Sequence, residues 1–161
     1  VDFIIVPCVS AHVFLDELRE KATVEVLSVF EEIANLIVTQ YKNVRKVGLL
    51  ATSGTIQGGL FQKKLAEKGI ETLTPEKESQ EQVMAGIYAI KGATSINEYT
   101  CSRAKFVKAA QGLTENEAQG VIAGCTEIPL AFDQADIDVP LFNPLAVLAE
   151  SAIKKATYIE N

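Results

Sequence analysis

Unbroken apolar runs alternate with helical segments along this chain, and that alternation restricts its fold more than any other feature. Phe3 to Val6, Lys46 to Ala51 and Gly120 to Gly124 are runs of the kind found in strands covered on both faces. Val24 to Leu27, Ile70 to Leu73 and Val139 to Phe142 also have strand propensity. Between them lie helix formers. Leu15 to Ala22 is short, and Val29 to Tyr41 sets Phe30, Ile33, Ile37 and Tyr41 on one face. A turn at Thr52 to Thr55 leads into a helix expected to end near Gly69, a C-terminal cap. Ser79 to Lys91 carries Val83, Ile87 and Ile90 in helical register, Gly92 breaks it, and Ile96 to Leu113 is the next helix. Asn143-Pro144 launches a terminal helix to about Thr157, because the fixed φ of proline suits a first helical turn. Regular β–α alternation predicts an α/β fold, parallel sheet inside and helices on both faces.

Composition narrows the functional classes. With 161 residues the chain is about one domain by the usual range of roughly 100–200. A hydrophobic fraction of 48% excludes intrinsic disorder. Twenty-one acidic against 15 basic residues create no polyanion-binding field, so no nucleic-acid partner is expected. No apolar run reaches the ~18 residues of a membrane span. Three widely spaced cysteines make no disulfide framework and suit a reducing, cytoplasmic setting.

In parallel α/β folds, chemistry sits beyond the carboxyl ends of the strands. Three strand-to-helix turns stand out there: Pro7-Cys8-Val9-Ser10-Ala11-His12, Ala51-Thr52-Ser53-Gly54-Thr55 and Gly124-Cys125-Thr126-Glu127-Ile128-Pro129. Two of them put a cysteine directly after the strand, where a helix dipole is expected to lower a thiol pKa. The plainer reading is that both are small buried hydrophobes. Ser10 and Thr126 can cap a helix or hold a carboxylate. His12 is either a donor supporting Cys8 or a satisfied core histidine; as the only histidine it makes no zinc site. Thr52 to Thr55 lacks the lysine and glycine spacing of a phosphate loop, leaving a carboxylate cradle or a capped tight turn. Cys101 is incidental on a helix, Lys91 is a helix-end lysine, and Glu31 and Glu32 are a solvated face.

If the chain holds two similar lobes, each contributes one cysteine to a shared cleft. A carbon acid between them can lose a proton to one thiolate and regain one from the opposite thiol. That is inversion without a cofactor, and it needs donors for the charge developing on the carboxylate.

The three turns, in their order and spacing, resemble the aspartate/glutamate racemase family over essentially the whole chain. The resemblance implies two pseudo-symmetric lobes, each a parallel sheet flanked by helices. Residues 1–43 and 139–161 would be the remainder of an incomplete first lobe, and 44–138 the second. It implies racemisation of aspartate or glutamate without pyridoxal phosphate or any other cofactor, no metal, and a homodimer in the full-length protein. Cys8 and Cys125 would be the acid–base pair. Thr52, Ser53, Gly54 and Thr55 would match the carboxylate turn, Thr126 and Glu127 the positions beside the second cysteine, and Lys91 a lysine near the distal carboxylate. Glu127 favours the aspartate branch over glutamate racemases, which tend to carry histidine there. Val9 and Ser10 stand where the family has asparagine and threonine; serine keeps the hydroxyl, but valine cannot hold the amino-acid head group.

Val1 opens directly on a buried strand, with no basic stretch of a signal peptide. Cys125 lies 80 residues beyond Arg45, while only seven residues precede Cys8. Pseudo-symmetric lobes would set about 73 further residues upstream, two to three βα units. The expectation is that this polypeptide alone is inactive or poorly active. The alternatives are another carbon-acid isomerase or decarboxylase on the same scaffold, similar to hydantoin racemase, and a non-catalytic carboxylate-binding protein with structural cysteines.

Overall fold

The computed structural model of the chain describes residues 1–159, with side chains through Thr157. Its elements run β1 (Phe3–Ile4), α1 (Leu15–Lys21), β2 (Glu25–Val26), α2 (Val29–Gln40), β3 (Lys46–Leu50), α3 (Ser53–Gly58), α4 (Leu60–Ala66), β4 (Glu71–Leu73), α5 (Lys77–Lys91), α6 (Ile96–Glu115), β5 (Val121–Ala123), β6 (Leu141–Phe142) and α7 (Pro144–Ile159). All strand pairs are parallel. One sheet has the order β4-β3-β5-β6, and β1 pairs with β2 in a second. The parallel α/β class read from the alternation is the one observed.

Side chains on β3 and β5 alternate between two cores, as the period of a strand requires. Val47 and Leu49 of β3 and Ile122 of β5 pack with α2, α4 and α7 through Phe30, Ile33, Ile37, Phe61, Leu65 and Leu148. Leu50, Val121 and Ala123 face the other way, into α5 and α6 through Val83, Ile87, Phe106 and Leu113. The α5–α6 contact is close because Gly86 has no side chain; a Cβ there would stand 2.8 Å from the Phe106 ring. From outside residues 44–138, β6 joins this four-stranded sheet as an edge strand and α2 packs on one of its faces.

Three local readings are corrected. The helix after Thr52 is two helices, because Gly59 adopts φ +67° and ends α3 before α4 begins. Glu31 is no merely solvated residue; it accepts from both terminal nitrogens of Arg19, at 3.2 and 2.9 Å. Glu32 accepts from Ser151 on α7 at 2.6 Å. Gly69, at φ +73°, does follow α4 as a left-handed stop. Among the described residues no helix is long and apolar enough to cross a membrane.

Candidate functional site

The Cys8 turn does not start an α-helix. It runs into a five-residue 3-10 turn, Ser10–Phe14, held by the buried His12. The Val29 N–H donates to His12 Nε2 at 3.3 Å, so that nitrogen carries no proton. Nδ1 carries it and donates to the Cys8 carbonyl at 2.9 Å. Burial lowers the His12 pKa from its ordinary 6.5, against the raising effect of backbone contacts with Cys8 and Leu27. His12 is therefore both things the sequence left open, a satisfied core histidine and a brace behind Cys8. The Cys8 thiol itself is exposed, whereas Val9 is buried in the core beside Val29 and Phe30.

Ser10 reaches across to the turn after β3. Its hydroxyl is 3.2 Å from that of Thr55, which is 2.9 Å from that of Thr52. The Thr55 N–H donates to Thr52 Oγ1, so Thr52 does cap α3. Three hydroxyl protons serve two hydroxyl–hydroxyl contacts, which leaves one proton free to donate to an anion. Both readings of this turn, cap and cradle, are thus physically compatible. A cavity of about 230 Å³ opens here, lined among others by Ser10, Thr52, Gly54 and Thr55.

Cys125 follows β5 and is buried. Its thiol donates to Glu127 Oε2 at 2.9 Å, and the Thr126 hydroxyl donates to the same oxygen at 2.8 Å. Lys91 Nζ stands 3.6 Å from the other oxygen, Oε1. Burial and then the hydrogen bond to the Glu127 carboxylate push the Cys125 thiol up to about 12. This overturns the expectation of a dipole-lowered thiol. Only a three-residue 3-10 turn, Ile128–Leu130, follows, and burial beside a carboxylate dominates. For Glu127, burial acts upward, but hydrogen bonds from Cys125, Thr126 and its own backbone outweigh it and hold the carboxyl below its usual range.

The turns after β3 and β5 leave adjacent strands at the same end of the sheet, since Leu50 and Ala123 are register partners. Ser10 ties the Cys8 turn to that end through Thr55. Ser53 is engaged elsewhere: Gln80 Nε2 donates to its hydroxyl at 3.2 Å and to the Ala51 carbonyl at 2.9 Å. Gln80 went unnoticed in the sequence, although it precedes Val83 and Met84 by the helical spacing that marks the buried face of α5. Glu127 as partner of the thiol was missed as well; its place two residues after Cys125 was the available signal.

A family model described as Asp/Glu/Hydantoin racemase matches residues 1–152. A broad specificity amino-acid racemase of Bacillus subtilis is 30% identical over 159 residues, covering 99% of this chain and 66% of that protein. The solved structure of an aspartate racemase homologue from Pyrococcus horikoshii superposes with a TM-score of 0.83 at 28% identity, over 98% of this chain and 67% of that one. Picrophilus torridus aspartate racemase gives 0.81 at 25%, over 98% and 63%. The chain thus spans about two thirds of the length of these proteins.

Proposed function

The chain belongs to the Asp/Glu/hydantoin racemase family, and on that footing we propose that it carries the thiol pair of an amino-acid racemase working without a cofactor. In this reading Cys8 and Cys125 stand on opposite faces of the substrate Cα. One thiolate removes the α-proton, and the other thiol delivers a proton to the opposite face, so each proton lost is replaced and configuration inverts. Ser10, Thr52 and Thr55 hold the α-carboxylate with the hydroxyl proton they have to spare.

The observation that carries this reading is the 2.9 Å contact from the Cys125 thiol to Glu127 at the end of β5. A buried thiol held protonated is the donor form the inversion needs. Once it has donated, Cys125 is the thiolate that takes the proton in the reverse reaction, and Lys91, 3.6 Å from Glu127, offsets the negative charge beside it. Glu127 and Lys91 thereby serve the thiol, and the substrate class supported best is the α-amino-acid head group. Likeness to a broad specificity amino-acid racemase favours amino acids over hydantoins.

The test is solvent isotope wash-in. One enantiomer is incubated in D2O with a high concentration of this polypeptide, and deuterium is followed by mass spectrometry. Slow wash-in is expected, with deuterium in the product enantiomer well ahead of the recovered substrate. Lack of exchange with every amino acid, or equal label in both enantiomers from the first turnovers, contradicts the two-thiol reading.

A further inference from the structure

We infer that the cavity beside the Cys8 turn selects amino acids with uncharged, apolar side chains over aspartate and glutamate; this rests on the racemase reading above. The lining of the cavity is of two kinds. Ser10, Thr52 and Thr55 supply hydroxyls, Val9, Val13, Phe30 and Leu60 supply hydrocarbon, two glycines complete it, and no residue lining it is charged. At about 230 Å³ it is smaller than the roughly 300–1,000 Å³ of sites for drug-sized ligands, which suits one amino acid.

Charge decides the class of side chain. With an α-carboxylate at the hydroxyls, the side chain lies among lining that is uncharged and largely hydrocarbon. A second carboxylate there would lose its hydration and find no cation, whereas a branched hydrocarbon chain gains by leaving water. Lys91, the lysine implied by family likeness for a distal carboxylate, does not line this cavity and is 3.6 Å from Glu127.

The experiment is protection of Cys8 from iodoacetamide, read by peptide mass spectrometry on the intact chain. Cys101, exposed on α6, is the internal control. L-leucine and L-methionine are expected to slow Cys8 alkylation at concentrations about tenfold below those needed for L-aspartate, with Cys101 unaffected. Val13 is 57% exposed, so Val13→Lys should fold normally, as its thermal midpoint will report. Its added cation should move the preference about tenfold toward aspartate. Aspartate protecting as well as leucine overturns the inference but leaves the racemase reading intact. Protection by none of the three overturns it as well. Leucine protection without Cα exchange of any amino acid upholds the selective cavity and removes the racemase reading instead.

Discussion

Glu127 gives Cys125 its chemical character, and the two are best judged together. Burial, and then the Glu127 carboxylate that accepts a hydrogen bond from the thiol, make the thiolate costly, so the thiol sits at about 12. Iodoacetamide at neutral pH should therefore label Cys8 and Cys101 and leave Cys125 unmodified. Glu127→Gln removes the negative charge that disfavours the thiolate. Cys125 alkylation near about pH 9 should then quicken while racemisation slows; an unchanged alkylation rate would remove Glu127 from this role. His12 gives a prediction of opposite kind. The fold holds its pKa below 6.5, so below that pH the unfolded chain binds the extra proton. Its contribution to stability is complete above 6.5 and is lost as pH falls toward the folded-state value. The thermal midpoint should drop between about pH 7.5 and about pH 5.5, and drop less in His12→Gln. Equal drops in both proteins would show that His12 is not the group responsible.

Strands and turns place these groups, and their tolerances follow from how closely the backbones approach. Gly124 lies between β5 and Cys125; a Cβ there would meet Leu49 Cδ1 at 2.8 Å, Ala51 Cβ at 3.1 Å and the Leu50 carbonyl at 3.1 Å. Gly124→Ala should cost about 1–3 kcal/mol in denaturant melts and displace Cys125; a variant of full stability would mean that the two turns are farther apart than described. β1 and β2 are two residues each and form a sheet of two strands, whereas β3 is paired on both sides. Amide exchange at Leu27, bonded to Ile4, should outpace that of Gly124, bonded to Leu50. Much of this framework was readable in the sequence, because the runs Lys46 to Ala51 and Gly120 to Gly124 hold the buried strands β3 and β5, and Phe30, Ile33 and Ile37 keep a 3.6-residue period. The run Phe3 to Val6 is corrected: only Phe3–Ile4 is strand, half-buried, and Ile5 is exposed. The break at Gly59 was not readable, since a glycine in a helical pattern shows its φ only once folded. Nor were the Glu31–Arg19 and Glu127–Cys125 contacts, which depend on what each acidic residue faces. The thiol pKa was misread for the same reason: position after a strand was visible, and burial beside a carboxylate was not.

At the scale of the whole molecule, one four-stranded parallel sheet with a core on each face brings two of the three turns to a common end, and Ser10 fastens the third to it. The family match covers residues 1–152, and the chain spans about two thirds of the length of the racemases it resembles. Two thiols acting from opposite faces of one carbon remain the central claim. Interconversion of L- and D-amino acids should be followed by chiral chromatography for the wild-type chain, Cys8→Ser and Cys125→Ser under identical conditions. Each serine variant is expected to lose on the order of 10²–10⁴ in rate, with its thermal midpoint nearly unchanged. Either variant racemising at the wild-type rate would contradict the mechanism.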